Sequence, residues 1–146
     1  MDNLSLPSAV AFSPLGDYAF VALQGSNLVE IRDAYSGART AATDLVGRAP
    51  RGLLLSADGA KMFVHGFTSR TVDVYDVSGV TSSTTFAFSP IASIRTVADE
   101  ALAPDVLLGK QIFYNAADRR MSKDGYISCA ACHLDGGDDG QIWDFT

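Results

Sequence analysis

The sequence predicts a mainly β chain, built as two copies of one four-stranded unit and closed by a short helical segment. Three observations carry that expectation. The chain aligns with itself at an offset of 43 residues. Each copy strings short apolar runs between turn residues, as strands require. Beyond Ala103 the apolar spacing changes to the three-and-four period of a helix.

The repeat pairs Pro7 to Asp33 with Pro50 to Asp76, and eight of those 27 pairs are identical: Pro7/Pro50, Ser13/Ser56, Gly16/Gly59, Phe20/Phe63, Val21/Val64, Ser26/Ser69, Val29/Val72 and Asp33/Asp76. Average residue usage gives about two by chance. Val10/Leu53, Phe12/Leu55, Glu30/Asp73 and Ile31/Val74 keep their character. A period in the low forties with several short strands per copy is the pattern of propeller blades.

Within each copy the expected strands follow in order. Ala9 to Ser13 and Gly52 to Ser56 are short apolar runs that end in the turns Ser13-Pro14-Leu15-Gly16 and Ser56-Ala57-Asp58-Gly59. Tyr18 to Leu23 and Lys61 to Phe67 come next, then polar bends at Gly25-Ser26-Asn27 and Thr68-Ser69-Arg70. The third strands are Leu28 to Asp33 and Thr71 to Val77, where Val72, Val74 and Val77 interleave with Asp73 and Asp76. A fourth is expected near Arg39 to Asp44, and again within Ser83 to Val97.

The pattern Pro-x-Gly/Ala-x-x-x-Ser-x-x-Gly, then Phe-Val, then Val-x-Val/Ile-x-Asp, resembles the YVTN (surface-layer-type) β-propeller repeat over about residues 5 to 80. The first copy departs from it with Leu15 where Asp is usual, which weakens that turn. Asp33, Asp73 and Asp76 are expected as turn and edge residues, not as a catalytic set. Propellers need four to eight blades, and two do not close a ring. The chain is therefore expected to be a piece of a longer protein; otherwise its open blade edges would be capped by self-association into a homo-oligomer.

Composition narrows the function classes. With 17 Asp and Glu against 11 Lys and Arg, the net charge is −6, which argues against nucleic acid as a partner. The longest uncharged stretch, Val77 to Ile94, holds eight Ser or Thr, so no transmembrane segment is expected. Met1-Asp2-Asn3-Leu4 shows neither a basic nor an apolar leader region. Two cysteines exclude a disulfide-stapled miniature.

The organisation read from these shifts is blades over 1–80, a linker or last blade strand over 81–98, and a separate segment over 99–146. Thr81-Ser82-Ser83-Thr84-Thr85 reads as a loop. Pro104 suits a first helical turn and Asp105 complements its dipole. Val106, Gly109 or Lys110 and Phe113 recur on one side, as do Leu108 and Ile112, so a helix is expected over Pro104 to Asn115, followed by a loop over Asp118 to Gly125.

Both cysteines and one of the two histidines fall in one pentapeptide, Cys129-Ala130-Ala131-Cys132-His133. On a helical turn, residues three apart face the same side, so both thiols reach the two vinyl groups along one porphyrin edge. The next residue then offers an imidazole to the iron. Cys-x-x-Cys-His is the pattern of covalent c-type haem attachment, with His133 as the metal ligand. Two other chemistries stay open: a zinc site, for which a fourth ligand is missing, and a redox pair or plain disulfide, for which a βαβ surround is missing.

The flanks are specific. Leu108-Gly109-Lys110-Gln111-Ile112-Phe113-Tyr114, Arg120 to Gly125 and Ile127 to His133 resemble the opening of the di-haem cytochrome c peroxidase and MauG-like family. Asp135-Gly136-Gly137-Asp138-Asp139-Gly140-Gln141-Ile142-Trp143-Asp144-Phe145 is similar to the branch in which such a domain follows YVTN repeats, and the match covers about residues 97 to 146. The resemblance implies a small α-helical cytochrome c-like segment with haem c, Cys129 and Cys132 as its covalent anchors and His133 as proximal ligand. Trp143 is a candidate for packing on the haem or for electron transfer, with plain packing as the alternative.

Only thirteen residues follow His133, so a distal ligand and any second haem domain are expected outside the chain. His65 reads as a structural histidine of a blade strand, and Met121 as a loop or core residue. Five acids (Asp124, Asp135, Asp138, Asp139, Asp144) and no Lys or Arg lie between Asp124 and Thr146. They suit either steering of a basic redox partner protein or a solubilising, turn-forming loop. Their spacing does not fit a calcium loop. The expected function is a fragment of an exported, periplasmic or cell-surface c-type haem oxidoreductase, electron-transferring or peroxidase-like. The alternative is a β-propeller binding or scaffold module without haem.

Overall fold

A computed structural model describes residues 5–44, 47–82, 85–142 and 144. Strands β1 (Pro7–Phe12), β2 (Tyr18–Leu23), β3 (Leu28–Asp33) and β4 (Arg39–Asp44) form one antiparallel sheet in that order. Strands β5 (Pro50–Leu55), β6 (Lys61–Gly66), β7 (Thr71–Asp76) and β8 (Ser89–Arg95) form a second. A single turn, α1 (Ser78–Thr81), interrupts the second sheet. Helix α2 (Pro104–Tyr114), the turn α3 (Cys129–Cys132) and a 3-10 turn at Leu134–Gly136 follow.

The two sheets repeat each other down to their irregularities. Pro7 faces Leu23 as Pro50 faces Gly66, and the bulge between Pro7 and Ala9 recurs between Pro50 and Gly52. Tyr18 to Leu23 pair with Asp33 to Leu28 in the register that Lys61 to Gly66 keep with Asp76 to Thr71. The fourth strands break the offset. Asp44 faces Leu28 whereas Arg95 faces Thr71, a displacement of 51, so the second copy holds eight extra residues between its last two strands. Those residues contain α1, which no apolar period in the sequence announced.

The turns show why the first copy tolerates Leu15. In the second copy the Ser56 hydroxyl donates to Asp58 and accepts from the Lys61 N–H at 2.9 Å. In the first, Ser13 donates to Asp17 instead and accepts from the Tyr18 N–H at 3.0 Å. The acid has moved two places along the turn, and Leu15, 79% exposed, is free to be apolar. Gly16 and Gly59 hold φ of 74° and 69°, where any side chain is strained.

The sheets pack face to face through Phe20, Ala22, Val29 and Ile31 on one side and Met62, Val64, Tyr75, Val77 and Val80 on the other. Phe86 and Phe88 close that core edge-on against Tyr18 and Phe20, with ring centroids 5.3 and 6.5 Å apart. Helix α2 caps one end of the pair. The Asn27 amide donates to Asn115 at 3.0 Å and accepts from the Ala49 N–H at 2.7 Å, tying the first sheet, the second sheet and the helix end at one point. The Ala116 N–H donates to the Gly25 carbonyl, and Gln111 to that of Thr68.

Candidate functional site

The pentapeptide forms the helical turn that its spacing predicts. Ser128 enters in extended conformation, and the His133 N–H closes the turn on the Cys129 carbonyl at 2.9 Å. Cys129 and Cys132 are therefore one turn apart on the same side, both half-buried and both free thiols. His133 leaves the helix at φ −103°, ψ 67°. The 3-10 turn that follows bends the chain back, with Gly136 at φ 83°, and brings the Gly137 carbonyl 2.8 Å from His133 Nδ1. A carbonyl oxygen only accepts, so Nδ1 carries a hydrogen, and in the neutral ring the lone pair is then on Nε2. Among the described residues no three His, Cys, Asp or Glu side chains are arranged around one ion.

Beside this turn the segment exposes apolar surface. Helix α2 buries none of its residues, and Val106 and Leu108 are 53% and 55% exposed. Tyr126, Leu134 and Ile142 are exposed as well. A groove of about 460 Å³ lies between α2, the second sheet and the 3-10 turn, lined by Phe67, Val106, Lys110, Phe113, Tyr114 and the glycines Gly109 and Gly136. Phe67 packs edge-on against Tyr114 at 5.4 Å. Three cations surround the Phe67 ring: Lys110 at 4.1 Å, Arg51 at 5.0 Å and Arg70 at 5.9 Å from its centroid. Arg70 also pairs with Glu100 at 3.0 Å and donates to the Phe67 carbonyl. Partial burial and then the positive charge of Arg70 push the Lys110 ammonium below its ordinary pKa.

This groove is the feature that sequence reasoning missed. Lys110 was visible as a helix residue, but nothing in the order of residues pairs it with Arg51 and Arg70, which the β5 and β7 entries bring together. The other candidates fall elsewhere. His65 lies in β6 on the outer face of the second sheet, over a hollow of about 230 Å³ shared with Leu54, Phe63 and Val72. Met121 is 56% exposed in the loop after α2. Asp33 and Asp76 are turn residues as expected, accepting from Ser36 and Ser78. Asp73 corrects its expectation: it is neither turn nor edge but 1% exposed in the middle of the second sheet, accepting from Ser93. Asp138 and Asp139 each accept a backbone N–H two residues on, so they form turns. Trp143 lies outside the described residues.

No protein-family model matches the chain, and no curated protein does. Solved structures match the fold. The chain is similar to the β-propeller domain of Swd1 (Cps50) from Myceliophteria thermophila, with TM-score 0.56 and 13% identity over 62% of this chain and 29% of that one. Hydrazine synthase from Kuenenia stuttgartiensis gives TM-score 0.55 and 24% identity, over 70% of this chain and 28% of the other. A 6-phosphogluconolactonase-type protein from Bacteroides uniformis gives TM-score 0.54 and 16% identity, over 69% and 31%. The fold is of β-propeller type. The two sheets are propeller blades, and the chain spans under a third of the length of each of these structures. Among the described residues no helix is long and apolar enough to cross a membrane.

Proposed function

We propose that this chain is part of an exported c-type haem oxidoreductase, in which YVTN-type blades carry a cytochrome c-like segment over residues 99–146. The observation that supports it most is the His133 hydrogen bond to Gly137, because it leaves Nε2 available on the residue that follows a Cys-x-x-Cys turn with both thiols on one side. The exposed apolar side chains of α2 and its groove fit a flat apolar group that would supply the core this segment lacks. Cys129 and Cys132 would anchor the haem through thioethers, and His133 would bind its iron. The bound haem supplies one-electron redox chemistry. The chain's own residues would orient it: the Gly137 carbonyl would hold the ring of His133 through Nδ1, and the α2 side chains would keep water from one side.

Zinc fits less well, because among the described residues the two thiols and the imidazole do not gather around one point and no fourth donor joins them. Periplasmic or cell-surface location follows from the same reading, since c-type attachment is completed after export. A basic redox protein is the partner that the acidic stretch from Asp124 to Asp144 would attract. A second reading, a β-propeller binding or scaffold module without haem, is supported equally by the blade likeness alone. It predicts a colourless protein.

The separating experiment expresses the chain with an export signal and haem-attachment machinery, then stains a denaturing gel for haem. Stain on the wild type that is lost in Cys132→Ala supports the haem reading. A colourless wild-type band under adequate haem supply would leave the binding module.

A further inference from the structure

We propose that the outer face of the second blade docks the first blade of another copy of this chain. Phe12 of that copy is seated in the hollow beside Phe63 and His65. The contact goes beyond the haem reading and does not depend on it. Its pattern is the junction inside the chain, where β5 lies against β1 and β2, and Leu53 and Leu55 pack on the shared core. The hollow of about 230 Å³ opens over β5 and β6, which are the same two positions of the second blade, between Leu54, Phe63, His65 and Val72. Val10 and Phe12, the counterparts of Leu53 and Leu55, are 55% and 58% exposed on the far side of the first blade. One chain therefore carries the hole on one side and the side chains that fit it on the other.

The side chains of the two faces compensate each other. Leu54 and His65 stand where the first blade has Ala11 and Ala22, so the receiving face is fuller there. The incoming face has Val10 and Ala19 where the second blade has Leu53 and Met62, so it is slimmer. Charge is balanced as well. Glu30 and Arg32 replace Asp73 and Tyr75 on the incoming face, and they pair with each other at 2.5 Å. Ile94, opposite Val72 and 56% exposed, extends the apolar area of the receiving face. A second copy is the occupant that fits, because the two open faces are the two halves of a junction the chain already makes. The halves differ, so the contact is heterologous, and each added copy leaves the same two faces open until a ring closes. Propellers hold four to eight blades, so closure takes about two to four copies.

Sedimentation of the full 146-residue chain over a dilution series reads the association, and two single variants read its direction. Phe12→Asp charges the incoming face and Leu54→Asp the receiving face, at positions 58% and 64% exposed within one chain. The wild type is expected to form oligomers of about two to four copies. Each variant alone is expected to be monomeric, its association weakened at least about hundredfold by a charge buried in an apolar contact. Mixed, the two should form a one-to-one dimer and nothing larger. The intact second blade of the Phe12→Asp chain then receives the intact first blade of the Leu54→Asp chain. A surface that is merely adhesive gives no such complementation. Circular dichroism checks the fold of each variant, and Val10→Asp with Ile94→Asp repeats the pair at other exposed positions. A monomeric wild type would leave these faces to the blades of a longer chain and overturn the proposal. Variants that still associate on their own, or a mixture that stays monomeric, would overturn it too.

Discussion

Phe20 and Phe63 occupy the same position of the repeat and meet different surroundings. Phe20 is 1% exposed between the two blades, whereas Phe63 lines the hollow on the outer face of the second. The opposite faces differ in the reverse sense: Leu53 and Leu55 pack on the core, while their counterparts Val10 and Phe12 are 55% and 58% exposed. The blades therefore stack head to tail, each offering one face forward and the other back. Such a heterologous contact propagates, and the two-blade stack presents one half of it at either side.

That asymmetry predicts unequal costs for equal mutations. Phe20→Ala should lower unfolding free energy by about 3–4 kcal/mol through lost burial and a residual cavity. Phe63→Ala should cost under about 1.5 kcal/mol, because its site is already open to water. Urea unfolding of both variants measures the difference. Equal losses would contradict the stacking order.

Asn27 should couple the blades to α2. Asn27→Ala removes a donor and an acceptor that serve Asn115 and Ala49, and it places Ala in the left-handed region. A loss of about 2–4 kcal/mol is expected. Amide exchange should quicken at Ala116 and along α2 more than in β6. Asn27→Gly separates the backbone strain from the lost bonds. Unchanged exchange in α2 would show that the helix docks without this residue.

Acid should weaken the fold in a defined window. The Ser36 backbone N–H holds Asp33 below the usual carboxylate range, and the Ser56 and Ser78 hydroxyls do the same for Asp58 and Asp76. The Arg120 guanidinium lowers Asp118 to about 2. A depressed folded pKa means stability that is present above the unfolded value, about 4, and lost as pH falls through the folded one. The urea midpoint should stay flat from about pH 7 to 5 and drop below about 4. Carboxyl NMR that finds Asp118 titrating near 4 would remove the Arg120 contribution.

The blades were legible because their information is local and doubled: Ser13, Gly16, Phe20 and Val29 recur at a fixed offset, and strand alternation follows from the sequence. Helix α2 was equally plain, with Pro104 at its start and apolar residues at helical spacing. The Cys-x-x-Cys-His turn was readable because its chemistry depends on spacing alone. The shift of the turn acid from Asp58 to Asp17 was less visible, since several positions around one serine hydroxyl serve it. Asp73 misled because an acid in an alternating strand reads as solvent-facing, whereas its neighbours in space bury it. The gathering of Lys110, Arg51 and Arg70 around Phe67 was illegible because it depends on where α2 packs against the second blade.

The central claim is covalent haem at Cys129 and Cys132, and intact-mass spectrometry of the denatured chain tests it most directly. The chain should be exported together with haem-attachment machinery and unfolded before measurement, so that only covalent groups remain. The account predicts a mass increase of one haem per chain in the wild type and none in the Cys129→Ala, Cys132→Ala double variant. A wild-type chain at its bare polypeptide mass, or two hydrogens lighter as a disulfide, would contradict it.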